Sequence, residues 1–383
     1  MAIPSAETIG GHDDMLIQIL VHVPVRSLLR FKCVSKHWYS IISSSYFSRR
    51  LNQIPAYPSA LILPLTSHLG SPEFHFLPLD GKPSRGPFRS LNFVDDPAGI
   101  MILQSCNGLL LCRSNYLVGE RCYYVYNPTT NQYTVLPRAT SAFSAVFGIH
   151  LAFDPSKSVH YRVVLVRSSD SGPQSYQLEI YSSDTCRWRL FGEPFDSDVK
   201  PYNGVFCHGA IHWMSGRGRF LCFDLDQERF RHMPALEIPE DWDGQIQCRF
   251  FGASQNHLQL ILGDSSYHSR ELDVYEMERD YSRWFIKYRI DLNNVISAFP
   301  EMIGSSFDPL DMDYCAFQIL AVIHTENEEG SFAVLHIPGK AISYVFKDQA
   351  FRILHDFAPG CTDIIGCLTY RVAYEYIENF STV

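Results

Sequence analysis

The stretch YVYNPTTNQYTVLP, residues 124–137, runs from an apolar strand through a polar turn to a large aromatic that opens a second strand. Val and Tyr favour extended backbone, and Asn, Pro and Thr cluster in turns, so the segment predicts a β-hairpin. The layout returns in LEIYSSDTCRWRLF from Leu178, FLCFDLDQERFRHMP from Phe220, LDVYEMERDYSRWFI from Leu272 and AISYVFKDQAFRILHDF from Ala341. The aromatics that open the second strands, Tyr133, Trp188, Phe230, Trp284 and Phe351, lie 55, 42, 54 and 67 residues apart. A four-stranded propeller blade takes roughly 40 to 50 residues. This spacing predicts a β-propeller, with an insertion or a disguised unit in the last gap. A further unit is expected at FHFLPLDGKPSRGPFRSLNF, residues 74–93, giving about six blades.

Between the hairpins lie apolar segments expected nearer the propeller axis: CNGLLLC (106–112), FGIHLAF (147–153), VFCHGAIHWM (205–214), LQLIL (258–262) and FQILAVIH (317–324). Their apolar-polar alternation is poor, as in strands covered on both faces.

Ahead of this body the periodicity changes. Met15, Leu16, Ile19, Leu20 and Val23 follow helical spacing behind Asp13 and Asp14, which suit a positive helix N-terminus, and Pro24 ends the run. A second helix is expected from about Val25 to Val34, and a third carries Trp38, Ile41 and Ile42. Three short helices in so few residues make a module near the lower limit for independent folding. Trp38 and Ile41 are expected inside its core. The remaining apolar side chains, Pro24, Leu28, Leu29 and Val34 among them, exceed what one small bundle can hide and predict a helix-in-groove contact with another protein. The fold class is therefore mainly β with a small all-α N-terminal module.

The 383 residues carry a net charge of −9. Residues 1–50 hold six basic and three acidic side chains, and the remainder holds 26 basic and 38 acidic. An acidic body argues against nucleic acid, which is bound by clustered Lys and Arg, whereas the basic head invites an acidic protein. Eleven cysteines without a Cys-x-x-Cys pair suggest reduced thiols. The absence of a signal-peptide pattern and of a membrane-length apolar run predicts a soluble intracellular protein with no membrane partner.

Asp13-Asp14-Met15-Leu16-Ile17-Gln18-Ile19-Leu20, Val23 to Lys36 (VPVRSLLRFKCVSK) and Trp38 closely resemble the F-box of the large plant F-box family. The pattern departs from the family at Gly11 and His12, where a Leu-Pro pair is usual, and more mildly at Gln18 and His22. Asn107-Gly108-Leu109-Leu110, Tyr126-Asn127-Pro128-Thr129-Thr130, Leu136-Pro137, Gly209 to Trp213 and Phe223-Asp224-Leu225 resemble the F-box-associated, kelch-like domain of the same family. The resemblance implies a flexible N-terminus at 1–9, an F-box at 10–50, a connector at 51–60 and an F-box-associated propeller at 61–383. It further implies a substrate-recognition subunit of a Skp-cullin-F-box ubiquitin ligase, working in the cytoplasm or nucleus. The adaptor would meet Leu16, Ile19, Leu20, Val23, Pro24, Val25, Leu28, Leu29, Lys32 and Val34, and a substrate protein would meet the propeller loops.

No phosphate-cradling loop, nucleophile elbow or His-Glu-x-x-His helix is present, so no catalytic residue, cofactor or metal is expected. Cys207, His208 and His212 carry the strongest metal signal, because strand positions four apart share a face, yet they lack further ligands and read as packed or hydrogen-bonded residues. Asp154, Asp224 and Asp226 sit by turns, where capping explains them. The loops 168–176, 193–203, 236–247, 263–271 and 324–331 are candidates for substrate recognition, with Trp242 in PEDWDG the one side chain singled out. Two other readings remain: a ligase-independent scaffold with a weakened F-box, and a propeller enzyme or sugar-binding protein with polar groups converging at the axis.

Overall fold

The five anchor aromatics occupy one structural position. In the computed structural model, Tyr126 faces Tyr133 across a ladder, Tyr181 faces Trp188, Phe223 faces Phe230, Met277 faces Trp284 and Tyr344 faces Phe351. Four of the five are aromatic cross-strand pairs, which stabilise a hairpin beyond its ladder. The turns between them place Asn131, Cys186, Glu228 and Gln349, each two residues before its anchor, at φ of 58°, 55°, 49° and 55°.

The structure describes residues 12–65, 71–115, 122–139, 145–169, 171–172, 174–199, 201–215, 218–236, 246–264, 270–303, 316–357 and 372–383. Within them the hairpins are the outer halves of antiparallel blades. Blade 2 is β3(Ile100–Cys106), β4(Leu109–Ser114), β5(Tyr123–Asn127) and β6(Gln132–Val135). Blade 3 is β7(Val146–Ala152), β8(Arg162–Ser168), β9(Ser175–Ser182) and β10(Arg187–Asp196), and blade 4 is β11(Val205–Cys207), β12(Ala210–Met214), β13(Phe220–Asp224) and β14(Arg229–His232). Blade 5 is β15(Ile246–Ser254), β16(His257–Asp264), β17(Glu271–Met277) and β18(Trp284–Asp291), and blade 6 is β19(Gln318–Ile323), β20(Phe332–Ile337), β21(Lys340–Val345) and β22(Phe351–Asp356). Blade 1 joins the two ends of the chain: β1(Ala60–Leu65) and β2(Glu73–Pro78) are completed by β23(Tyr374–Tyr376), which pairs with β1.

The first strands of blades 2–6 touch in succession, from β3 to β7, β11, β15 and β19, and β23 touches β3. The fold is thus a six-bladed propeller in which the C-terminal strand supplies the innermost strand of blade 1. Strand alternation explains the weak polarity pattern. Along β4, Leu109 and Leu111 enter the core shared with blade 3, while Leu110 and Cys112 enter the core shared with blade 1. Every neighbouring pair of blades has such a core, so inner strands such as β4 and β9 are buried on two faces, whereas the outermost strands β6 and β10 are largely exposed.

Two sequence expectations change in detail. CNGLLLC and VFCHGAIHWM are not single strands: Asn107-Gly108 and His208-Gly209 are two-residue turns with positive φ at both positions, the geometry that matches hairpin twist. The long gap before Phe351 contains α5(Asn293–Ala298) and a 3₁₀ turn at Pro300–Met302, an insertion between blades 5 and 6.

The head has four helices instead of three: α1(Asp13–Leu20), α2(Val25–Phe31), α3(Lys36–Ile42) and α4(Ser45–Asn52). The fourth starts where the Ser44 hydroxyl accepts from the Phe47 amide, and Phe47 is fully buried. Its apolar side chains are few, which hid it from a periodicity reading. No described helix is long and apolar enough to cross a membrane. The N-terminus expected to be flexible and Gly11 lie outside the described residues, as does Trp242.

Candidate functional site

The head hides one face and leaves another uncovered. Leu16, Ile17, Leu20, Leu28, Ile41, Ile42 and Phe47 are buried together, with Trp38 half-buried against Phe31 in an edge-to-face contact at 5.4 Å. Leu16, Leu20 and Leu28 were expected to face a partner. They fill the core instead, because the bundle is deep enough to cover them once another part of the chain packs in. Val23, Val25 and Leu29 are half-buried against the same core, and Pro24 is exposed. Outward-facing apolar side chains are Met15 at 39% exposure, Ile19 at 50% and Val34 at 60%. Met15 and Ile19, four residues apart on α1, share one helix face. Helix α1 begins after His12, whose side chain makes no capping bond.

The additional packing comes from the C-terminus. Beyond β23 the tail runs under the head, and Phe380 joins the head core. Arg26 Nε meets Glu378 Oε1 at 2.8 Å, its Nη2 donates to Tyr376 Oη at 3.4 Å, and Lys32 Nζ sits 5.0 Å over the Phe380 ring. The Tyr376 hydrogen bond raises the Arg26 pKa, against the cost of burial, and burial lowers that of Lys32. Lys32, expected to contact an adaptor, is therefore directed at the chain's own tail. Arg30, Lys36, Arg49 and Arg50 remain exposed and keep the head basic.

On the other side the tail is tied to the propeller. Asn127, fully buried, donates from Nδ2 to the Ser381 carbonyl at 2.7 Å, and its Oδ1 accepts from the Thr129 amide at 2.9 Å. Asn379 Nδ2 donates to the Asn107 carbonyl at 2.6 Å. The Asn-Gly and Tyr-Asn-Pro-Thr-Thr motifs of blade 2 thus serve as a clasp for the tail, whose far side holds the head.

The propeller surface carries a polar cleft of about 270 Å³ between blades 3 and 4, lined by Asp154, Lys157, His160, Arg162, Asp184 and Asp226. Arg162 donates to the Leu225 carbonyl at 2.6 Å and to Asp226 at 3.2 Å, bridging the two blades. A second cleft of about 680 Å³ adjoins it, lined by Arg162, Arg187, Trp188, Arg189 and Glu228. Asp154 accepts from the Ser156 amide and hydroxyl, and Asp224 from the amides of Asp226 and Gln227, both as turn caps. Trp188 and Trp284 donate their indole N–H to the carbonyls of Pro137 and Pro234 on the preceding blades, at 2.6 and 3.2 Å. They hold neighbouring blades together.

The metal signal read at Cys207, His208 and His212 dissolves in the structure. His208 is a turn residue, so strand parity with His212 is lost. The His212 ring is fully buried, with Nδ1 3.2 Å from the Val205 carbonyl, Nε2 3.0 Å from Tyr281 Oη and the Tyr281 ring stacked on it. Burial lowers its pKa to about 4. A cluster that sequence reading did not find has metal-ligand geometry: His257, Glu276 and His324, on β16, on β17 and just past β19, place one donor atom each within 4.8 Å of the others. Their wide separation in sequence left no motif. Cys33, Cys106, Cys112, Cys122, Cys186, Cys207, Cys222 and Cys248 are free thiols.

Residues 12–50 match the family model of the F-box domain, and residues 80–282 match that of the F-box associated beta propeller domain. F-box protein At5g07610 of Arabidopsis thaliana is 34% identical over 99% of this chain and 94% of its own length. F-box protein At5g49610 of the same plant is 31% identical over 60% of this chain and 64% of its own. Among solved structures, TolB from Acinetobacter baumannii aligns over 84% of this chain and 67% of its own, at 14% identity and a TM-score of 0.41.

Proposed function

This chain belongs to the F-box proteins that carry an F-box-associated β-propeller domain, and from that membership we propose that it is the substrate-recognition subunit of a Skp-cullin-F-box ubiquitin ligase. The head, residues 10–50, docks on a Skp-type adaptor and through it on cullin. The propeller, residues 61–383, captures a target protein for ubiquitination and proteasomal degradation in the cytoplasm or nucleus. The supporting observation is that a head with a complete core still presents Met15, Ile19 and Val34 to solvent. Full burial of such a side chain is worth ~1.5 to 3 kcal/mol, so covering the exposed half of Ile19 or Val34 on a partner adds roughly 1 to 2 kcal/mol each before the costs of association. Val23, Pro24, Val25 and Leu29 flank that surface, whereas Leu16, Leu20 and Leu28 support it from inside.

The chain performs no bond-making step in this reading. Its mechanism is proximity: a target held near a charged ubiquitin-conjugating enzyme presents its lysines at high effective concentration. The tail, clasped to blade 2 and inserted into the head, fixes the distance and angle between adaptor and target. In the second cleft, where Arg162 and Arg189 pair with Asp226 and Glu228, Arg187 and Trp188 offer a cation beside an aromatic, which suits a target that brings an acidic side chain.

The test is affinity purification of the full chain with and without proteasome inhibition, beside a Met15→Asp, Ile19→Asp variant. Proteins captured by both forms that accumulate on inhibition only where the wild-type chain is present support the reading. If no captured protein changes in abundance, the reading fails.

A further inference from the structure

We propose that His257, Glu276 and His324 form a divalent-metal site, zinc by its ligand chemistry, that staples blade 5 to blade 6. His257 and Glu276 belong to blade 5, and His324 follows the innermost strand of blade 6. A bound ion would therefore cross-link two blades that, among the described residues, share apolar packing, a few hydrogen bonds and the Lys287–Glu328 ion pair.

The geometry is close to what zinc needs. His257 Nδ1 lies 2.8 Å from Glu276 Oε1, and His324 Nε2 lies 3.5 Å from Glu276 Oε2. Ligand atoms about 2.0 to 2.2 Å from a tetrahedral ion stand roughly 3.3 to 3.6 Å apart; the two imidazole–carboxylate separations lie near that value, and the three donors, now within 4.8 Å of one another, would draw together around the ion. The imidazoles stack at 4.4 Å with 27° between their planes, which turns both ring edges toward the same carboxylate. Two imidazoles and one carboxylate are an established zinc donor set.

Independent evidence comes from acceptors left without donors. Gln259 is fully buried and its Oε1 has no hydrogen-bond partner, and Glu276 Oε2 is buried and accepts no hydrogen bond. Buried acceptors without donors are costly. Gln259 Nε2 lies 2.5 Å from His324 Nε2, so the amide sits against the ring edge that faces Glu276. Lys287, close enough to Glu276 to act on its charge, directs its ammonium to Glu328 at 3.0 Å. The His257 side chain is 21% exposed, which gives an ion a way in.

The test uses the full chain stripped with a chelator, then titrated with Zn²⁺ by calorimetry and with Co²⁺ by visible absorption. The expected result is uptake of about one ion, tetrahedral nitrogen-oxygen Co²⁺ bands without thiolate charge transfer, and a rise in melting temperature with Zn²⁺. His257→Ala, whose partly exposed side chain can be lost without unfolding the blade, should weaken binding beyond the roughly 100-fold that an outer-shell change costs, and abolish the melting shift. Glu276→Gln should do the same while keeping the volume of the side chain. The proposal is overturned by no uptake in the wild-type chain, by uptake unchanged in a folded His257→Ala variant, or by thiolate bands that assign the ion to cysteines.

Discussion

Replacing Asn127 by Ala tests whether the tail is clasped as described. Asn127 donates to Ser381 O at 2.7 Å, lies 3.2 Å from Asn379 Oδ1 and accepts from the amides of Thr129 at 2.9 Å and Thr130 at 3.3 Å. Two of these are short, well-formed bonds, each worth about 1 kcal/mol net, and their loss strands a tail carbonyl and a turn amide in a site without solvent. The expected cost is about 3 kcal/mol. Unfolding entropy near 2.1 cal/mol/K per residue gives about 0.8 kcal/mol/K for a chain of this length, so the melting temperature should fall by about 4 °C. Asn127→Asp keeps the acceptor but points a second oxygen at the carbonyls of Ser381 and Asn379. Its carboxyl must then titrate above the ordinary aspartate range, because the protonated form alone can donate. A group with a raised folded pKa loses its stabilising contribution as pH rises through that value. The Asp variant should therefore be closest to wild type in mild acid and fall away toward neutrality, with calorimetry at pH 5 and 7 as the assay. A melting temperature within 1 °C of wild type for both variants would refute the clasp.

Phe380→Ala removes a ring from the head core and, at about 3 to 5 kcal/mol, should raise hydrogen exchange across α1–α4 while leaving blades 3 and 4 protected; unchanged exchange in the head would contradict the docking. Burial raises the Glu375 pKa to about 8, so its contribution to stability is lost as pH climbs from its unfolded value toward 8. His75, His150, His212 and His324 are lowered to about 4, mainly by burial, and weaken the fold only as pH drops from 6.5 toward 4. Between pH 6.5 and 8, denaturant titrations should thus show declining stability, and Glu375→Gln should flatten that slope. Trp188→Phe keeps the ring but loses the bond to Pro137 O, and should cost about 1 to 2 kcal/mol by chemical denaturation; a neutral result would mean that the indole N–H does not join blades 2 and 3.

The outer hairpins were legible because everything that defines them is local. An aromatic facing its partner seven residues away, across a turn of polar residues, is a pattern one can read by eye in residues 124–137. Blade 1 is only partly legible: the unit expected at residues 74–93 contains β2 alone, and the innermost strand, Tyr374 to Tyr376, lies at the opposite end of the chain from β1. The same distance accounts for Leu28. Its burial depends on a head core that includes Phe380, and no window of the head sequence contains that residue. Lys32 was assigned to a partner for the same reason. At His208, a glycine on its C-terminal side signalled a turn, but the surrounding apolar run favoured a continuous strand. The triad of His257, Glu276 and His324 has no sequence signal, because its members come from two strands of blade 5 and from the residue after the first strand of blade 6.

The most direct measurement of the central claim is the affinity of the purified full chain for a Skp-type adaptor, by calorimetry or interferometry. The account predicts a one-to-one complex that Met15→Asp, Ile19→Asp abolishes without lowering the melting temperature of the propeller. No binding by the wild-type chain at micromolar concentrations, or binding that the folded double variant retains in full, would contradict it.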